Sequence, residues 1–156
     1  MVARSPYYSN WNKEKGIKPA DVYRVYALDR ISDIQDTGKT FKMKKDFDIN
    51  HYFEGCCGVI TSDEPIQRIV LLAYGGFADY LRSLPLHESQ REIEGDDEST
   101  LFEYHLKPTF DFYQLILAQG DQVEVLEPES VRDEMRNFAK NMLDYYTWEE
   151  DKPCKE

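Results

Sequence analysis

The sequence predicts an α+β fold in two parts, on three observations: hydrophobic alternation of period two in short segments, helical spacing between them, and a sharp division of charge. The segments after residue 55 follow one another as β-α-β-β-α-β, the split arrangement of a ferredoxin-like fold, with a C-terminal helix after it. Such a fold is a four-stranded antiparallel sheet carrying two helices on one face. Of the 156 residues, 30 are acidic and 19 basic, a net of -11. Residues 1–54 carry 10 Lys/Arg against 8 Asp/Glu, whereas residues 55–156 carry 9 against 22. Two regions of different character are expected.

The first region reads as strands and loops. Tyr7 and Tyr8 close a short β-prone segment, and Ser9 to Asp21, with Gly16 and Pro19, is a polar connection. Tyr23-Arg24-Val25-Tyr26-Ala27-Leu28-Asp29-Arg30-Ile31 follows with a strand pattern. Alternation sets Arg24, Tyr26, Leu28 and Arg30 on one face and Tyr23, Val25, Ala27 and Ile31 on the other. Asp29 falls on the inner face, where it needs a partner or an exposed strand end. Gln35-Asp36-Thr37-Gly38 is a turn, Thr40 to Met43 a short strand, and Tyr52-Phe53 a small helical or irregular segment. Gly55 to Gly58 reads as a hinge.

The second region alternates strand and helix. Ile66 to Ala73 is a buried strand ended by Gly75-Gly76, and Phe77, Tyr80, Leu81 and Leu84 recur at helical spacing until Pro85. Glu88–Ile93 and Leu101–Leu106 flank the acidic run Glu94 to Glu98 as a hairpin. In the next helix Asp111 and Gln114 have capping-box spacing, Phe112, Leu115 and Ile116 form the apolar face, and Gly120 suits the left-handed end. Val123 to Leu126 is the fourth strand. Ser130 is placed to cap a last helix with Val131, Met135, Phe138, Met142 and Tyr145 in one stripe, which packs on the sheet or joins two chains. Residues 149–156 read as a disordered tail.

The order and spacing of these pieces resemble a known family. Residues 23–31, with Gly38-Lys39-Thr40-Phe41 and Asp46-Phe47-Asp48, resemble the closing part of the WYL domain of bacterial transcriptional regulators. Leu86-His87-Glu88-Ser89-Gln90, and Ala118 through Pro128, resemble the C-terminal extension of those proteins. The resemblance implies remnant strands of an Sm-like, SH3-like β-barrel over 1–54 and a ferredoxin-like extension domain with its final helix over 55–148. It implies an N-terminally truncated chain as well, since the Trp-Tyr-Leu triplet is absent and Val2 to Tyr8 looks like the stretch directly after that triplet. Promoter DNA would be a partner only through the missing helix-turn-helix.

The resemblance further implies a cytoplasmic, non-catalytic sensor of a nucleotide-like effector, with Arg24 and Arg30 at the positions matching the family's basic residues. Arginine suits phosphate, with a planar fork of donors and a permanent charge. Six residues of extended strand separate the pair by about 20 Å, which favours an oligonucleotide over one small anion. Tyr26, between them, could stack on a base. Two solvated arginines on an edge strand remain the plain alternative. A purely structural dimerisation module is the second functional reading, and an acid–base hydrolase the third.

Composition limits other chemistry. An acidic chain makes a poor free-standing duplex-DNA binder. His51, His87 and His105 lie in separate segments without helical metal spacing, and no Gly-x-Ser-x-Gly elbow or phosphate-cradling loop occurs. Adjacent Cys56 and Cys57 with a distant Cys154 make neither a disulfide framework nor a zinc pattern. No catalytic residue, metal or cofactor is expected. Arg82, His87, Ser89 and Gln90 either close a ligand site or solvate a loop. No run reaches the ~18 apolar residues of a membrane span, and no membrane partner is expected.

Overall fold

The computed structural model describes residues 1–4, 23–40, 42, 45 and 47–147. The chain divides into two compact units, Met1–Asp48 and Ile49–Glu156. In the first, β1 (Val2–Arg4) and β2 (Tyr23–Val25) pair antiparallel, with Val2 opposite Val25 and Ala3 opposite Arg24. Val2 and Val25 are half-buried while Arg24 is exposed, so the valine pair faces inward.

The strand expected to reach Ile31 ends at Val25. Leu28–Arg30 form a turn of 3-10 helix instead, in which the Arg30 N–H donates to the Ala27 carbonyl at 3.3 Å and the Ile31 N–H to that of Leu28 at 3.2 Å. Asp29 disfavours a longer strand: continued alternation would turn its carboxylate toward the half-buried side that Val25 and Ile31 occupy, at a cost in solvation. The turn leaves Asp29 in solvent and exposes 70% of Leu28 in exchange. At 35–38 no backbone-bonded turn closes; Gly38 takes φ +64° and donates its N–H to Asp36 Oδ1 at 2.8 Å. Tyr7–Tyr8, Ser9–Asp21 and the 149–156 tail lie outside the described residues, as do Phe41 and Met43 of the expected strand at 40–43.

The second unit opens with a short helix, α1 (Ile49–Phe53). Then come β3 (Gln67–Tyr74), α2 (Phe77–Ser83), β4 (Arg91–Gly95), β5 (Ser99–Leu106), α3 (Phe110–Leu117), β6 (Val123–Glu127) and α4 (Glu129–Tyr146). The sheet runs β4-β5-β3-β6 with every neighbouring pair antiparallel. The first and third strands of the β-α-β-β-α-β unit are central, as the ferredoxin-like arrangement requires. Its register stacks Leu71 between Phe102 and Val125, and Ile69 beside Tyr104. With Leu81, Phe112, Ile116 and Val131 these form the core, each at most 3% exposed.

Local details differ from expectation for identifiable reasons. In α2 the buried positions are Ala78 and Leu81, while Tyr80 and Leu84 are 44% and 56% exposed, because a two-turn helix covers only a narrow strip of sheet. Asp111 does not cap α3: Thr109 holds that position, and the Asp111 carboxylate accepts the Ile60 N–H at 2.8 Å, tying a loop 51 residues away to the helix. Gly120 takes the left-handed conformation at φ +64° as expected. Strand β4 starts at Arg91, three residues after the expected Glu88, and all of it is exposed. Helix α4 starts behind Pro128 without a side-chain cap from Ser130. Its stripe is buried only at the start, at Val131, then half-buried at Met135 and Phe138, and exposed throughout 141–147.

Candidate functional site

The three expected ligand-binding residues fall on three successive pieces of the N-terminal unit. Arg24 is exposed on β2 opposite the small side chain of Ala3. Tyr26 is half-buried just beyond it, its N–H donating to the Met1 carbonyl at 2.7 Å and its carbonyl accepting the Met1 ammonium at 2.8 Å. Arg30 is exposed at the end of the 3-10 turn. One strand face no longer carries all three. The turn advances about 2 Å per residue where a strand advances about 3.3 Å, so the extended-strand separation is an overestimate.

In the C-terminal unit the segment between α2 and β4, half-buried at Leu86, His87, Ser89 and Gln90 and exposed elsewhere, is hydrogen-bonded to α2 and β5. Gln90 holds it: its Nε2 donates to the Leu81 carbonyl at 2.7 Å, and its Oε1 accepts from the Leu86 N–H at 3.1 Å and from the Tyr104 hydroxyl at 2.8 Å. Burial pushes the Tyr104 phenol well above its ordinary value, which keeps it a donor. Ser89 Oγ accepts the His105 N–H at 2.9 Å and lies 2.7 Å from His87 Nδ1, which also receives the Ser89 N–H at 3.2 Å. Burial lowers the His87 pKa, against a smaller opposing pull from Glu88. Neutral imidazole with its acceptor nitrogen toward Ser89 fits both facts. Arg82 spans Glu92, at 2.7 and 2.8 Å, and Asp79 at 2.6 Å, and holds the Glu92 carboxyl below its usual range.

Alternation places Arg68, Val70, Tyr74, Leu101, Glu103 and Glu124 on the sheet face away from α2 and α3. There Arg68 clamps three strands, donating to Glu103 on β5 at 2.5 Å and to Glu127 on β6. Tyr74 and Arg132 both donate to Glu124 at 2.8 Å. No sequence signal marks these pairs, since Arg68 lies 35 and 59 residues from its partners. Exposed pairs of this kind contribute at most about 1 kcal/mol each. Their larger effect is on charge, because Arg68, Arg82, Arg132 and Arg136 are each held by carboxylates.

The residues that could suggest catalysis have local partners. His51 pairs with Glu54 at 2.8 Å, His87 with Ser89, and His105 lies 3.8 Å from Glu103, each in a different segment. The Cys57 thiol packs on the core, and burial, with smaller effects of Cys56 and Asp111, pushes it up to about 12; burial raises Cys56 as well. Neither is a ready thiolate at neutral pH. Asp96 accepts the Glu98 and Ser99 N–H groups at 2.9 and 2.7 Å, which lowers its pKa and spends it on the hairpin turn. Among the described residues no group of three or more His, Cys, Asp or Glu side chains is placed to hold a metal, and no helix is long and apolar enough to cross a membrane.

The family model of the WCX domain matches residues 65–143, from just before β3 to the last turn of α4. No curated protein matches the chain.

Proposed function

The chain belongs to the family of the WCX domain, the C-terminal extension of WYL-domain regulators, and on that premise we propose that it senses an anionic ligand for a bacterial transcriptional regulator. The ligand is a nucleotide or a short single-stranded nucleic acid, held by Arg24 and Arg30 with Tyr26 available for stacking. Residues 1–54 are then the closing part of a WYL barrel and 55–148 the extension, although the compact units divide six residues earlier, between Asp48 and Ile49. Family membership supports a regulator without catalysis. The observation that carries the ligand assignment is the division of charge: residues 1–54 hold a basic excess, while the C-terminal unit is strongly acidic and spends four arginines on its own carboxylates.

Thermal unfolding of the full chain tests the reading. A ligand that binds only the folded state at 100 times its Kd adds about 2.7 kcal/mol and raises the Tm. Mononucleotides, short oligonucleotides and inorganic phosphate, compared at equal charge, should give a shift for at least one of the first two. Failure of all of them favours a second reading, a dimerisation module without a ligand, to which the exposed end of α4 lends support.

A further inference from the structure

Tyr113 on α3 lines an open cleft of about 420 Å³ within the C-terminal unit. Its ring is held with its centre 5.6 Å from that of Phe112 and 5.6 Å from that of Phe138 on α4, so it forms a fixed wall. Glu64 and Glu134 line the same cleft, together with Pro65, Pro108 and Ser130. Burial, and after it the charges of Glu134 and Glu64, raises the Tyr113 pKa, so both carboxylates lie within electrostatic reach of one phenol. Neither carboxylate has an ion-pair partner among the described residues, whereas Arg68, Arg82, Arg132 and Arg136 are all held by other acids of this unit. Lys107, next to Pro108, directs its ammonium to the Ser62 carbonyl at 3.1 Å.

We propose that this cleft binds a small aliphatic diamine, with its ammonium groups on Glu64 and Glu134 and its chain against Tyr113, Pro65 and Pro108. The sign of the charge decides the class of ligand. The first turn of α4 faces the cleft through Ser130, and a helix N-terminus carries about half a positive charge. Two carboxylates outweigh it, and the surrounding region adds to them, with 22 acidic against 9 basic residues over 55–156. A bare metal ion fits less well. Among the described residues no third His, Cys, Asp or Glu joins the pair in a metal-holding group, while hard divalent ions take about six or more oxygen ligands. Ammonium groups need fewer acceptors, and the phenol ring and the prolines give a short methylene chain an apolar wall. An ammonium within about 6 Å of the Tyr113 ring centre gains cation–π attraction as well. Nothing in this site involves Arg24 or Arg30, so it stands or falls apart from the anion site proposed in the first unit.

Isothermal titration calorimetry of the full chain with 1,4-diaminobutane tests this, using Glu64→Gln and Glu134→Gln as site variants. Asp97→Asn, on the acidic hairpin, removes the same charge elsewhere. Glu64 and Asp97 are exposed and Glu134 half-buried, and circular dichroism checks that all three variants keep the fold. The wild type should show saturable binding, weakened at least about tenfold in each glutamine variant and by less than about twofold in Asp97→Asn. Butan-1-ol, which has the chain without the charge, should not bind. Magnesium chloride at equal charge should displace the diamine only weakly. Absence of saturable binding by the wild type would overturn the proposal. So would equal weakening in all three variants, or displacement by magnesium as effective as by the diamine itself, since either result means a diffuse attraction of cations to an acidic surface.

Discussion

Strands β2 and β5 begin from similar sequence patterns and end differently. Both alternate, yet β5 extends over eight residues while β2 stops after three and gives way to a 3-10 turn. The inner positions of β5 are Thr100, Phe102, Tyr104 and Leu106, none charged and none more than 2% exposed. The corresponding run after Tyr23 turns Asp29 inward. A strand thus continues only as long as alternation keeps charge off its buried face, and a titratable side chain stays inside only where hydrogen bonds hold it. His87 and Tyr104 meet that condition; Asp29 leaves the strand.

The largest effect expected is from moving charge into the longer strand. Phe102→Asp removes a fully packed ring, costing about 3–5 kcal/mol before the charge is counted, and should unfold the C-terminal unit in urea. A Phe102→Asp chain with wild-type stability would break the comparison. Next in size is the pH dependence of His87. Its folded pKa lies below the unfolded value of about 6.5, because burial resists the charge. Below that value the unfolded chain binds the proton more readily, so this contribution is complete above pH ~6.5 and declines as pH falls toward the folded pKa. The Tm should drop over that window, and His87→Ala should flatten the drop. The smallest effect is that of Asp29→Val, within about 0.5 kcal/mol for an exposed site, yet it should extend β2. Hydrogen exchange of the amides of residues 27–30 would slow if so, and unchanged exchange would assign the turn to some other cause.

Much of the C-terminal unit was legible because its signals are local. Gly75-Gly76 ends β3, Pro85 follows α2, and Gly120 closes α3, each through a backbone property that neighbours in sequence reveal. Asp111 misled for the opposite reason, since its spacing to Gln114 suits a cap while its hydrogen-bond partner, Ile60, is far away in the chain. Strand β4 starts late because Ser89 and Gln90 are engaged by the His105 N–H and the Tyr104 hydroxyl, contacts that exist only after β5 is in place. The α4 stripe looks the same on a buried and an exposed turn, so packing on the sheet, the reading the sequence favoured, could not be separated from pairing with another chain. For Arg24 and Arg30, residue type and resemblance pointed to an anion, but the distance between them depends on a turn decided by Asp29.

The ligand site is the central claim, and fluorescence anisotropy of a labelled short single-stranded oligonucleotide with the full chain tests it most directly. Binding should occur, weaken as salt is raised, and fall at least about tenfold in Arg24→Ala and in Arg30→Ala. Binding that is equally tight in both variants would contradict the account.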